Sequence, residues 1–163
     1  MRWVLGIDPG ASTGMALFEG ERFVAATTAE GTSFLSLAAA IEKLVKPYWS
    51  QMANRQAVIE AGYMGLNRKT ALVLERRRGL VQAACELHQF AVAELFPSQW
   101  QSKVLKHLGE PGTGPGRPRR NELKKRALQR AAEISCGPVA SSDAADAICM
   151  TYCYSLGLHL PGA

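Results

Sequence analysis

The stretch VLGIDPGASTGMALFEG, Val4 to Gly20, commits the chain to opening with two short strands. Val4, Leu5 and Ile7 make an apolar run of strand character, and Pro9-Gly10 is a turn signal that ends strand pairing directly after Asp8. Gly14 to Phe18 is apolar again and reaches Gly20 after Glu19, so a second strand follows a short Gly/Ser/Thr turn. A lone carboxylate, Asp8, therefore stands where a buried strand ends and a cleft can begin. The plain alternative is an aspartate that only hydrogen-bonds within its own turn, as Asp commonly does before Pro or Gly.

Length weighs against a third reading, in which Asp-x-Gly followed by Ser-Thr-Gly cradles a phosphate as in the actin-like sugar kinases and ATPases. Such kinases close two lobes around a nucleotide, whereas 163 residues supply a single domain, 1–163, with one core. No run approaches the roughly 18 to 20 apolar residues of a membrane span, and the N-terminus lacks the pattern of a signal peptide. A cytoplasmic protein with no membrane partner is the expectation. Cys85, Cys136, Cys149 and Cys153 form no C-x-x-C pair and have no matching histidine spacing, so neither zinc nor a disulfide framework is indicated, and Cys149 and Cys153, four apart on a helix face, are expected to be buried free thiols.

Along the chain, RFVAATT reads as a third strand, and SFLSLAAAIEKLVKPYW as a helix with a Ser or Thr cap that ends near Pro47. QAVIEAGYMG repeats the arrangement at Asp8: an apolar run ends on Glu60 and Gly62 breaks it. Asn67 to Phe90 reads as a long helix, with Gly79 in its interior expected to permit a close backbone approach. AVAELF is a further strand, PSQWQSKVLKHLG a helix from Pro97 or Ser98, and SSDAADAICMTYCYSLG a last helix capped near Ser141 or Ser142. Three strands, helix, strand, helix, strand and then helices predict an α/β fold with a central mixed sheet flanked by helices.

The net charge of +5 is local. Arg117 to Arg130 holds seven of the 19 Lys and Arg and one of the 14 acids, leaving 12 basic and 13 acidic residues elsewhere. It follows the Gly/Pro-rich loop Gly109 to Arg120, expected to be mobile. Such a stripe is the footprint of a phosphate-backbone binder, although a solvated helix face accounts for part of it. Arg117, Arg119, Arg120, Lys124 and Lys125 are its candidate DNA contacts.

The chain has only three aspartates, Asp8, Asp143 and Asp146. The last two lie three apart at the start of the final helix, so they share a face; favourable placement in the helix macrodipole is the bland explanation. Adding Asp8 and Glu60, each at a strand end, would bring four acids into one cleft. Their repulsion is relieved by oxygen-seeking divalent ions such as Mg²⁺ or Mn²⁺, and a pair of such ions is a known device for phosphodiester displacement.

GIDPG followed by Thr-Gly, IEAGYMGLN followed by a long helix, and SDAADAICM together resemble the three catalytic segments of RuvC-type Holliday junction resolvases, in the RNase H-like nuclease superfamily. The order and approximate spacing match from about Arg2 to Leu156. The resemblance implies an RNase H-like fold with Asp8, Glu60, Asp143 and Asp146 as catalytic, metal-binding acids, Asp8 bridging two Mg²⁺ ions. It also implies a homodimer, in a bacterial cell or a phage-infected host, whose two sites nick opposed strands of a four-way junction, leaving 5′-phosphate and 3′-hydroxyl ends; whether a branch-migration helicase is a further partner is left open by the sequence. Tyr63 matches a position where such proteins stack an aromatic on a base at the junction centre. Where they place a DNA-contacting lysine this chain has Gln101, with Lys103 nearby, and Arg120 falls near a basic family position. Other branched or hybrid nucleic acids, or non-catalytic junction binding, remain the alternatives.

Overall fold

A computed structural model describes residues 1–10, 12–31, 33–62, 68–105 and 120–160, with the side chain of Arg120 excepted. Five strands, β1 (Arg2–Pro9), β2 (Thr13–Glu19), β3 (Arg22–Ala29), β4 (Asn54–Glu60) and β5 (Ala91–Leu95), form one sheet in the order β3-β2-β1-β4-β5. The β1–β2 and β2–β3 pairs are antiparallel, and β1–β4 and β4–β5 are parallel. The mixed sheet is thus the expected one, and the helices are α1 (Phe34–Val45), α2 (Arg68–Leu87), α3 (Pro97–Val104), α4 (Arg120–Ser135) and α5 (Ser142–Ser155).

Side-chain alternation along the strands sorts the core into two layers. Leu5, Ile7, Leu17 and Ile59 point to one face, where Ile41 and Val45 of α1 and Val81 and Cys85 of α2 cover them. Val4, Ala16, Phe18 and Val58 point to the other, against Trp100 and Val104 of α3, Ala127 and Ala131 of α4 and Ile148 of α5. Asp8 follows Val4 and Gly6 at a spacing of two, and Glu60 follows Val58, so both acids belong to the α3–α4–α5 face.

Local chemistry accounts for most helix ends. Ser33 caps α1 by accepting from the Ser36 N–H at 3.1 Å, and the helix gives way to a 3₁₀ helix, Lys46–Gln51, around Pro47, which has no N–H to continue the ladder. The second helix is shorter than the Asn67 to Phe90 expectation: Gln89 turns the chain at φ 61° and the Phe90 N–H closes on the Cys85 carbonyl at 3.0 Å. Gly79 corrects another expectation. A Cβ built there meets nothing within 4 Å among the described residues, so none of them makes a close approach that requires the glycine. The loop Gly109 to Arg119 lies outside the described residues.

Cys85, Cys149 and Cys153 are buried free thiols, whereas Cys136 is exposed. Burial pushes the Cys85 thiol up to about 12, with the neighbouring Glu86 carboxylate adding to the shift. Among the described residues no helix is long and apolar enough to cross a membrane.

Candidate active site

Parallel pairing puts Asp8 and Glu60 side by side. The β1–β4 register runs through Ile7↔Ile59, so the next residue on each strand, at its carboxyl end, is an acid. Open α/β sheets place ligand sites at such carboxyl ends. The third element is α5, which crosses this face with Asp143 and Asp146 in its first turns.

Two glycines let α5 come close enough. A Cβ on Gly14, which pairs with Asp8 across β1–β2, would stand 1.9 Å from the Asp143 carbonyl oxygen. On Gly6 it would stand 1.6 Å from Thr151 Oγ1 and 3.1 Å from the Ala147 carbonyl oxygen. Real Cβ atoms do not approach so closely, so the helix backbone at Asp143 rests on bare strand at Gly14, and the Thr151 side chain does so at Gly6. Its N-terminus is held as well: Ser141 Oγ accepts from the Ala144 N–H at 3.1 Å and shares a hydrogen bond of 2.9 Å with Thr28 Oγ1 on β3.

The result is a cleft of about 460 Å³ whose lining includes Asp8, Glu60, Asp143 and Asp146. Leu123 and Lys124 of α4, Trp100 and Gln101 of α3, and Ser142 complete much of its wall. Trp100 Nε1 donates to Glu60 Oε2 at 3.0 Å, fixing that carboxylate from the protein side. Lys124 Nζ donates to Ser142 Oγ at 3.1 Å, and that hydroxyl lies 3.4 Å from Asp143 Oδ1. Arg77 of α2 donates to the Gly10 carbonyl at 2.5 Å, tying the turn after Asp8 to the opposite layer.

Electrostatics records the crowding. Burial holds the Asp8 carboxyl well above the usual carboxylate range, and the charges of Glu60, Asp146 and Asp143 raise it further against a lowering pull from Lys124. Burial likewise lifts Glu60 to about 7, opposed by the Trp100 hydrogen bond and assisted by Asp146. The donor set is all carboxylate oxygen, which suits a hard divalent cation. Among the described residues, no group of three or more His, Cys, Asp or Glu already stands in ion-holding geometry. The residues fit such an ion by donor chemistry and by shared lining of one cleft.

The other expected contacts divide by place. Lys124 is in the cleft, whereas Lys125 is exposed on α4. Arg126 and Arg130 of the same stripe pair with Glu122 and Glu133, at 2.7 and 2.8 Å. Gln101 lines the cleft; Lys103 does not, being exposed on α3 and acting electrostatically on Cys153 of α5. Tyr63, Arg117 and Arg119 lie outside the described residues, as does the side chain of Arg120. Trp100, Gly6, Gly14 and Arg77 carried no expectation from sequence, although the two glycines stand inside the GIDPG and Ser-Thr-Gly segments.

No family model matches the chain. Crossover junction endodeoxyribonuclease RuvC of Polynucleobacter necessarius subsp. necessarius is 28% identical over 167 residues, covering 99% of this chain and 92% of the relative. The protein of the same name from Polynucleobacter asymbioticus is 28% identical over 177 residues, covering 100% and 93%. Among solved structures, Thermus thermophilus RuvC in complex with a Holliday junction substrate matches with a TM-score of 0.68 and 14% identity, covering 97% of this chain and 98% of that one. The Thermus thermophilus RuvC structure matches at 0.66 and 15%, covering 96% and 97%. Along nearly its whole length in sequence, and in fold, the chain is similar to RuvC-type Holliday junction resolvases, as its three acidic segments imply.

Proposed function

We propose that this protein is a structure-selective, metal-dependent endonuclease that resolves four-way DNA junctions. The observation that carries the reading is the meeting of Asp8, Glu60, Asp143 and Asp146, from three separate sequence segments, on one cleft. Full-length similarity to proteins named crossover junction endodeoxyribonuclease supports the substrate class.

Asp8, Glu60 and Asp146, with Asp143 beside them, would hold two Mg²⁺ ions, for which Mn²⁺ can substitute. When bound, such ions supply an activated water and stabilise the leaving oxygen. The chain's own part is to hold the carboxylates in place: the sheet register aligns Asp8 with Glu60, Trp100 orients Glu60, and the bare glycine contacts seat Asp143 and Asp146. In the cut, a water oxygen bonds to phosphorus as the bond from phosphorus to the 3′ oxygen breaks. One proton leaves the water and one is taken up by the 3′ oxygen, giving 5′-phosphate and 3′-hydroxyl ends.

The whole chain acts as one nuclease domain in this reading, within a homodimer that sets two clefts against opposed strands. The work is cytoplasmic, alongside a branch-migration helicase, and Tyr63, Lys103, Arg117, Arg119, Arg120, Lys124 and Lys125 supply the DNA contacts.

The test is to incubate the purified protein and Mg²⁺ with end-labelled four-way junction, flap, RNA–DNA hybrid and linear duplex, and to map the cuts. Paired nicks in the junction are expected, with Asp8→Asn binding the junction and leaving it uncut. Preferential cutting of flaps or hybrids would move the substrate, and cutting by Asp8→Asn at the wild-type rate would overturn the site.

A further inference from the structure

We propose that Lys124 is a catalytic residue whose ammonium binds a non-bridging oxygen of the scissile phosphate during the cut. The assignment rests on the nuclease reading and deepens it, since it separates one lysine from the basic stripe and gives it a role in the chemistry.

Placement is the first ground. The α4 helix packs along α5, burying Ala127 and Ala131, and this rotation turns Leu123 and Lys124 toward the acids. Among the described cations of the helix, Arg126 and Arg130 are taken by Glu122 and Glu133, Arg130 also lies 5.4 Å from the Tyr152 ring centroid, and Lys125 is exposed. Among the described residues lining the cleft beside Asp143 and Asp146, Lys124 is the single cation, and the α3 wall offers neutral Gln101 and Trp100; Arg78, which lines the adjoining pocket at Asp8 and Glu60, is paired with Glu75 and Glu94.

Bonding is the second. Lys124 Nζ reaches the hydroxyl of Ser142 at 3.1 Å, and no salt bridge between it and a carboxylate is found among the described residues. An ammonium carries three donors, so a donor held by Ser142 fixes the group's position and leaves capacity for a phosphate oxygen. Had the lysine closed onto Asp8 or Asp143, it would neutralise the site and exclude the substrate.

Chemistry is the third. Negative charge is spread over the non-bridging oxygens while water attacks and the 3′ oxygen departs, and a cation fixed beforehand in a recessed cleft stabilises that charge without reorganising. Lys124 keeps its protons throughout; it forms and breaks no covalent bond. It also offsets the repulsion that four carboxylates present to an incoming phosphate.

Single-turnover cutting of a four-way junction with Mg²⁺, and junction affinity measured separately in EDTA, test the assignment. Lys124→Ala and Lys124→Met, the latter keeping the apolar stem, are expected to cut about 100-fold more slowly, with affinity falling less than about threefold. Lys124→Arg is expected to recover part of the rate, and Ser142→Ala to lose less than Lys124→Met does. Lys43→Ala, on α1 across the sheet, controls for the loss of one positive charge.

Cutting by Lys124→Met at the rate of the Lys43→Ala control would overturn the proposal. So would an affinity loss that accounts for the whole rate loss, which marks an ordinary backbone contact. A Ser142→Ala variant as slow as Lys124→Met would also overturn it, since Lys124 would then act only by orienting the start of α5. If Lys124→Ala melts early, Lys124→Met decides. Failure of the wild type to cut junctions would instead overturn the nuclease reading, and this assignment with it.

Discussion

Replacing Glu60 with glutamine tests, without reference to cutting, whether its carboxylate is held buried at the cleft. In the folded protein without metal, burial and Asp146 lift Glu60 from 4.5 to about 7, even after the Trp100 hydrogen bond has pulled it down. The native state therefore holds this proton more tightly than the unfolded chain does. Its contribution to stability is fully present below about 4.5 and is lost as pH rises through about 7. At about 1.4 kcal/mol per pH unit, the ionised form costs the native state about 3 kcal/mol relative to the neutral one, as an upper figure. A glutamine side chain copies the neutral form, and its amide oxygen can still accept from Trp100. In EDTA at pH 8, Glu60→Gln should then be more stable by up to about 3 kcal/mol, which is roughly 6 to 12 °C in Tm for a chain of this size. At pH 4.5 the two proteins should melt together. Urea or thermal melts of both across this pH range are the assay. A difference independent of pH, or a variant less stable at pH 8, would refute the argument that the Glu60 charge is buried at a cost. Excess Mg²⁺ should also raise the wild-type Tm more than the variant's, because binding energy accrues to the folded state.

Gly14→Ala should cost about 1 to 3 kcal/mol by forcing a methyl into the Asp143 carbonyl, and should slow cutting although no acid is changed; calorimetry beside the junction assay checks both. Gly79→Ala, where the added methyl meets open space, should raise stability by about 1 kcal/mol with unaltered cutting, measurable by urea melts. Neutralising Arg119, Arg120 and Lys125 together should weaken junction binding and flatten its salt dependence, since fewer counterions are released. A slope of log affinity against log salt equal to wild type would show that these residues do not touch phosphates.

The acids were legible in the sequence because each breaks a local rule. A lone charge at the end of an apolar run, followed by a turn, belongs at a strand terminus, and the two such runs became the parallel neighbours β1 and β4. Two aspartates behind a serine likewise announced the capped start of α5. What escaped depends on distant packing. Trp100 reads as a core aromatic, and its ring is fully buried; that its N–H meets Glu60 follows from how α3 sits on α5. The turning of Lys124 inward and Lys125 outward is set by burial of Ala127 and Ala131 in a helix crowded with charge, where apolar periodicity is faint. Gly6 and Gly14 look like ordinary strand and turn glycines until a helix from the far end of the sequence is laid on them. Gly79 shows the reverse: an interior helix glycine suggested a tight contact, and the exposed side of α2 has none.

The bare contact between α5 and the first two strands makes the candidate site depend on docking of two distant parts of the chain. Asp8 and Asp143 are separated by most of the chain, and closing so long a loop carries an entropic cost that is recovered only when the helix has docked. A chain in which α5 had not docked would lack two of the four acids in the cleft. In the proposed nuclease, competence to cut DNA is in this way tied to completion of the tertiary structure.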